Sequence, residues 1–312
     1  MIDSPDAAGR LTFAIIVPTY NEAADIGATC EALLALSPPA DEIIFVDGAS
    51  TDATADIIRR YLARPSIRLI VEPAKHGIAA GRNAGVRAAA SDIVVFADAD
   101  VQLPSDFLSR LSRHYMHSAD AVGVEAEAPN TRSPFARFLD AEHKHLVRAG
   151  IVGWTQAFSC RRGLAIEAGL VPEELPLGAE DTEFVRRLDA RTSRRIMDRS
   201  IVVRHVLPSS LGDFWRQWEN RGASLPFLRY RIHHLSWPYL LAERLAAVVW
   251  SLLFVILVVP TTRRAMMLAS LSSRRWRDLP LFLGLTLLQL CAHRVGEWRG
   301  LARLALTSSH GR

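Results

Sequence analysis

Two aspartates end an apolar run. Residues 93–100 read IVVFADAD, so Asp98 and Asp100 stand two apart behind four residues with purely hydrocarbon side chains. On an extended tip, side chains two apart point to the same face, and both carboxylates can meet one ligand. Hard divalent ions take oxygen ligands and keep positions open for phosphate. A Mg²⁺ or Mn²⁺ ion held at Asp98 and Asp100 is therefore one reading; a solvated turn after a core strand is the other. A second acidic pair, Glu180 and Asp181, follows Gly178 and opens a helical stretch at 178–191. The helix dipole favours carboxylates there, either as a cap or with one acid serving as a general base. His205 closes the apolar segment 199–206, as a metal or phosphate ligand or as a structural histidine. Arg216 and Arg221 lie five apart in an aromatic, basic helical segment, 210–224. They can contact phosphates from adjacent sides or form a solvated basic face.

Periodicity predicts the elements that must carry these residues. Short apolar runs at 11–18, 41–50, 66–72 and 92–100 read as strands. Segments 21–36, 51–63 and 77–90 have helical spacing, with Asn21 as the expected N-cap of the first. Strands alternating with helices imply crossover connections and a mostly parallel sheet covered on both faces, an α/β Rossmann-like architecture. Ligands of such sheets bind beyond the carboxyl ends of the strands, and those ends carry Pro18, Tyr20, Glu22, Asp47, Asp98 and Asp100. Further on, helices are expected over 103–118 and 133–150, and a strand over 119–128. Segment 153–170 reads as strand, turn and helix. Tyr115, His143, His145 and Trp154 receive no role from the sequence.

The chain has 312 residues, 49% of them apolar, enough for one large domain or two small ones. Cys30, Cys160 and Cys291 lie far apart, which argues against a disulfide framework or a zinc site and fits a reducing compartment. The first ten residues carry two acids and no apolar stretch, so no secretory signal is expected. Charge is unevenly spread. Residues 1–160 hold 14 Lys and Arg against 20 acids, while residues 161–312 hold 23 arginines against 13 acids. A basic half attracts phosphorylated molecules, an anionic membrane face or nucleic acid.

From about Trp237 the composition changes. Residues 245–262 are uncharged over 18 positions, the lower limit for a span, and 279–292 over 14. Between them lie Arg263, Arg264, Arg274, Arg275 and Arg277. A spanning hairpin would put these arginines across the membrane from a cytoplasmic catalytic domain, against the positive-inside tendency. An in-plane or re-entrant arrangement, with the arginines at anionic headgroups, is expected; buried core or dimer-interface helices are the alternative.

No dinucleotide or P-loop glycine motif is present. The order IIVPTYNE, FVDGASTDAT, GRNAG, VVFADAD, GAEDTEF and then an aromatic basic helix resembles the family 2 glycosyltransferases of the GT-A fold over about residues 12–222. The resemblance implies that Pro18, Tyr20, Glu22 and Asp47 hold the nucleotide base, with Arg82 nearby. It implies that Asp98 and Asp100 hold ribose, diphosphate and metal, that Asp181 is the catalytic base, and that His205 lies by metal and diphosphate. Processive synthases of the family carry Q-x-x-R-W; the nearest stretch here is RQWENRG, 216–222, which favours addition of a single sugar.

The expectation is a GT-A catalytic domain over 1–235 and a membrane-associated helical region over 236–312. It would act at the cytoplasmic face of the membrane, on a nucleotide-diphospho-sugar and a lipid-linked or membrane-proximal acceptor, with no nucleic-acid partner. The alternative is an inactive membrane-attached sugar-nucleotide binder or scaffold. A nucleotidyltransferase would want a Gly-rich, Lys-bearing loop after the first strand, and PTYNEAAD has neither glycine nor lysine.

Overall fold

A computed structural model describes residues 10–150, 156–175, 178–256 and 258–309. Trp154 lies outside the described residues. The chain divides into two compact units. One gathers Met1–Glu125, Gly153–Pro172 and Glu183–His205; the other gathers Ala126–Val152, Glu173–Thr182 and Val206–Arg312. The second unit thus takes in segments from before residue 236 as well as the C-terminal region.

The strands are β1 (Phe13–Thr19), β2 (Glu42–Asp47), β3 (Ile67–Val71), β4 (Ile93–Phe96), β5 (Val101–Gln102), β6 (Ala121–Glu127), β7 (Phe158–Arg161) and β8 (Arg195–His205). The helices are α1 (Ile26–Leu34), α2 (Thr54–Arg59), α3 (Ile78–Ala88), α4 (Phe107–Met116), α5 (Pro134–Arg148), α6 (Arg162–Glu167), α7 (Glu180–Asp189), α8 (Leu211–Phe227), α9 (Trp237–Ile256), α10 (Val258–Leu271) and α11 (Leu279–Ser309).

One eight-stranded sheet runs in the order β3-β2-β1-β4-β7-β6-β8-β5. Its first four strands are parallel, as their unbroken apolar runs require. The pairings β4–β7, β6–β7 and β5–β8 are antiparallel, so the sheet is mixed where a mostly parallel one was expected. Ile15, Ile16, Phe45, Val94 and Phe96 are fully buried in it. Helix α3 lies close on β1 because Gly85 has no side chain: a Cβ there would sit 2.3 Å from Ile16 Cγ2. Asn83 clasps the Val171 backbone, donating to its carbonyl at 2.8 Å and accepting from its N–H at 2.9 Å. The small residues of GRNAG are thus packing residues. The expected cap role of Asn21 is corrected. Asp25 precedes α1, and Asn21 takes a left-handed φ of 56° with its side chain turned to Thr51.

The second unit is helical. Phe138 of α5 meets Phe214 of α8 and Phe282 of α11 edge-on, with centroids 5.7 and 5.1 Å away. Helices α8 and α11 cross backbone to backbone: a Cβ on Gly296 would sit 2.0 Å from the Glu219 carbonyl, and one on Gly300 2.2 Å from that of Ala223. Two buried ion pairs lie in this unit. Arg137 grips Asp278 bidentately at 3.0 and 3.1 Å, and Arg244 meets Glu297 at 2.9 Å.

The uncharged run 245–262 is shared between α9 and α10. The stretch Arg275–Thr307, which takes in most of α11, is long and apolar enough to cross a membrane by length and composition, with 33% of its most apolar window buried in the protein. Leu241, Leu245, Val249, Trp250, Leu252 and Leu253 of α9 are exposed. Arg263, Arg274, Arg275 and Arg277 are exposed too, with Trp276 among them. Arg264 departs from the expected headgroup role: it turns to the buried Glu142 carboxylate at 2.5 Å, because an unpaired acid in a helical core is costly.

Candidate functional site

The ends of β1 and β2 are tied into one surface. Gly48 N donates to the Thr19 carbonyl at 2.9 Å, continuing the β1–β2 pairing past the strand ends. Asp47, 1% exposed, accepts from the Ser50 hydroxyl at 2.6 Å and from its N–H at 3.0 Å. Ser50 Oγ in turn accepts from Asn21 N, and Asn21 Oδ1 accepts from Thr51 N. The Glu22 N–H donates to Thr54 Oγ1 at 2.8 Å. Pro18 packs beneath Gly81 of α3, and Tyr20 presents its ring at the surface. Lys75 Nζ stands 3.5 Å over that ring, a cation–π contact that the sequence reading did not anticipate.

Beyond β4 the chain turns so that Asp98, Asp100 and His205 converge, one ligand atom from each lying within 4.8 Å of the others. The two-residue β5 accomplishes this. Val101 pairs with His205 across the β5–β8 ladder, which carries the imidazole from the end of β8 to the acids. His205 Nε2 lies 3.4 Å from Asp100 Oδ2, and Arg82 Nη2 donates to Asp98 Oδ1 at 2.9 Å. Burial draws the imidazole pKa down, but the hydrogen bond and charge of Asp100, with the charge of Asp98, outweigh it and leave it raised. The Glu22 carboxyl is raised as well, first by burial and then by the negative charges of Asp100, Asp25, Asp52 and Asp98. The neighbourhood is thus acid-rich, and His205 Nδ1 is buried with no hydrogen-bond partner among the described residues. Two carboxylates and an imidazole are a donor set that Mg²⁺ or Mn²⁺ accepts, imidazole favouring the latter. The residues fit such an ion.

The remaining residues belong to the helical unit. Glu180 is buried and accepts from Gly178 N at 2.7 Å, closing the turn that starts α7. Asp181, half-buried, accepts from the Thr182 N–H at 2.7 Å. The acidic pair therefore divides: Glu180 caps the turn, and Asp181 holds the more open place. On α8, Arg216 is exposed and ion-paired with Asp213. Arg221 stacks on Trp218, its guanidinium carbon 4.6 Å from the ring centroid. Tyr115, His143 and His145 are not drawn into the acid cluster. The Tyr115 hydroxyl instead donates to Ser159 Oγ at 2.8 Å, inside the sheet's core.

Comparison with known proteins defines the class. The structure is similar to the mannosyltransferase PcManGT from Pyrobaculum calidifontis, solved in complex with GDP-Man and Mn²⁺, with a TM-score of 0.60 and 22% identity over 95% of this chain and 89% of that one. The fold is the GT-A glycosyltransferase fold. Residues 14–156 match glycosyl transferase family 2. It is 25% identical over 214 residues to the uncharacterized glycosyltransferase EpsJ of Bacillus subtilis (strain 168), a match covering 63% of this chain and 62% of that protein, less than two thirds of its length. It is 26% identical over 250 residues to the succinoglycan biosynthesis protein ExoA of Rhizobium meliloti (strain 1021), covering 73% of this chain and 74% of that one.

Proposed function

We propose that this protein is a metal-dependent, inverting glycosyltransferase. It moves one sugar from a nucleotide-diphospho-sugar to a lipid-linked or membrane-proximal acceptor, in the assembly of a cell-envelope polysaccharide or glycolipid. The observation that carries this reading is the convergence of Asp98, Asp100 and His205 beyond β4, next in the sheet to β1, which bears Pro18 and runs out into Tyr20 and Glu22. Asp98, Asp100 and His205 would hold Mg²⁺ or Mn²⁺, which when bound supplies positive charge against a leaving diphosphate. Asp47, Tyr20 and Glu22 bind the nucleoside, and Arg82 steadies Asp98 and the diphosphate side of the donor.

In the chemical step the acceptor oxygen attacks the anomeric carbon as the bond from that carbon to the diphosphate oxygen breaks. The electron pair leaves with the nucleoside diphosphate, and Asp181 takes the acceptor's proton. An acceptor that is already a phosphate anion has no proton to give, so Asp181 matters less for it.

The exposed apolar face of α9 and the exposed Arg274–Arg277 segment with its tryptophan support attachment at the cytoplasmic face of the membrane, apolar side chains in the interface and arginines at anionic headgroups. On this reading residues 236–312 carry the membrane contact. The names of the relatives, one of them from succinoglycan biosynthesis, are consistent with an envelope role.

The test is binding and slow hydrolysis of a panel of UDP-, GDP- and dTDP-sugars with Mn²⁺, Mg²⁺ or EDTA, for the wild type and Asp100→Ala. Metal-dependent binding or turnover of one donor, lost in the variant, is expected. Well-folded protein that binds no nucleotide sugar removes the reading. Tight binding without turnover on any acceptor leaves a sugar-nucleotide binder in its place.

A further inference from the structure

The helical unit contains a cavity of about 380 Å³ walled by four helices, within the size range of small-molecule sites. Helical spacing builds it. Glu142 and Leu146 are four apart on α5, Trp218 and Arg221 three apart on α8, and Gln289 and His293 four apart on α11; Arg264 comes from α10. Each pair therefore projects from one helix face.

Three polar groups in this wall are left incompletely served. Glu142 is 3% exposed, and its Oε1 accepts from Arg264 at 2.5 Å and from Gln289 at 2.9 Å. Its buried Oε2 has no hydrogen-bond partner among the described residues. Trp218 is 7% exposed, and its buried Nε1–H is likewise without an acceptor. The side chain of Arg221, half-buried, makes no ion pair or hydrogen bond among the described residues; its guanidinium stacks on the face of Trp218. Leaving buried polar atoms unmet costs stability. A half-buried guanidinium that no carboxylate pairs attracts an anion.

We propose that this cavity binds a sugar carried on a phosphate, with the phosphate against Arg221, a sugar hydroxyl donating to Glu142 Oε2, and a ligand oxygen accepting from Trp218 Nε1–H. A bare anion would leave Glu142 Oε2 without a donor. A neutral sugar would leave Arg221 uncompensated. A single ligand that bears both groups meets all three needs, and Leu146 and Leu290 supply apolar wall for its carbon skeleton. Equating this ligand with the acceptor rests on the transferase reading above; the binding site itself does not.

The experiment is calorimetric titration of the full chain with inorganic phosphate, with free glucose, galactose and mannose, and with their 1-phosphates. At least one sugar 1-phosphate is expected to bind tenfold or more tightly than phosphate or any free sugar. Arg221→Gln should weaken that binding about tenfold to a hundredfold, the worth of a hydrogen bond to a charged group. Leu146→Trp, which fills the cavity from its wall, should abolish it while nucleotide binding is unchanged, with the thermal transition confirming a folded chain. Co-flotation with phosphatidylcholine vesicles containing a prenyl-phosphate-linked sugar, competed by the sugar 1-phosphate, identifies a lipid-borne ligand; titration without co-flotation identifies a soluble one. Folded wild type that binds none of the 1-phosphates, or binding unaltered in both variants, overturns the proposal. If a sugar 1-phosphate binds but no nucleotide sugar does, the transferase reading falls and this site stands.

Discussion

The tip beyond β4 and the core of the helical unit treat acidic side chains in opposite ways. Beyond β4, Asp98, Asp100 and Glu22 are gathered around a single guanidinium and a single imidazole. In the helical unit three buried acids have arginine in contact: Asp278 with Arg137, Glu297 with Arg244 and Arg294, Glu142 with Arg264. Acids brought together without matching cations disfavour one another's charge, and a bound cation would relieve the repulsion. Acids matched by arginine are what a helical core needs to bury charge at all. On the proposed reading, the surplus of one sign marks the site of chemistry, and neutrality marks where charge serves the fold. The helical unit's exception, Arg221, marks the cavity for the same reason.

The contrast can be broken by experiment. The largest effect is expected at the acidic tip. Asp100→Ala should reduce sugar transfer about a hundredfold to a thousandfold and abolish the stimulation by added Mn²⁺ or Mg²⁺, while the unfolding midpoint stays put or rises as repulsion is relieved. A large fall in stability with activity retained would make the tip structural.

The reverse holds for Asp278→Asn. It leaves Arg137 charged, buried and unmatched, so about 3–5 kcal/mol of stability should be lost, read as a lower unfolding midpoint, with nucleotide binding by the remaining folded protein unchanged. Loss of nucleotide binding without loss of stability would undo the distinction between the two units.

Within the sheet unit, Asp198 provides a smaller and pH-dependent case. Burial pushes its carboxyl up, but hydrogen bonds from the Ser200 hydroxyl, His114 and the Ser200 N–H prevail, bringing its pKa down to about 2. A depressed folded-state pKa stabilises above the unfolded value and is lost as pH falls through the folded one. Asp198 should therefore contribute about 1–2 kcal/mol at neutral pH, fading between about pH 4 and pH 2. Asp198→Asn should flatten the stability profile across that window, and an unchanged acid limb would refute the assignment.

The smallest effect belongs to the surface. Arg275→Gln should weaken binding to anionic vesicles by about 1 kcal/mol. The difference should shrink as salt is raised, and flotation at two ionic strengths measures it. An effect equal on neutral vesicles would mean that Arg275 does not act through headgroup charge.

Much of this molecule was legible in its amino acids. The apolar runs of β1, β2 and β4 are buried on both faces of a sheet, so their hydrophobicity is continuous and readable. Their ends must give way to loops, which is where Pro18, Asp47, Asp98 and Asp100 fall. Helix α3 is readable for a related reason: only a side chain as small as that of Gly85 lets a helix lie so close on β1. These features depend on near neighbours and on burial, and both leave a local pattern.

What the local pattern could not carry is the company each charged group keeps. His205 reaches Asp100 because a two-residue strand pairs Val101 with a residue more than a hundred positions away, and no periodicity shows in two residues. Lys75 covers Tyr20, Arg264 turns inward to Glu142, and Arg221 is left without an acid. Each outcome is set by which helix or strand packs beside which. Composition and periodicity therefore determined the layers and the acidic strand ends; tertiary structure alone decided which charges are matched and which are not, because electrostatic pairing acts through space over a few ångströms and is indifferent to distance along the chain.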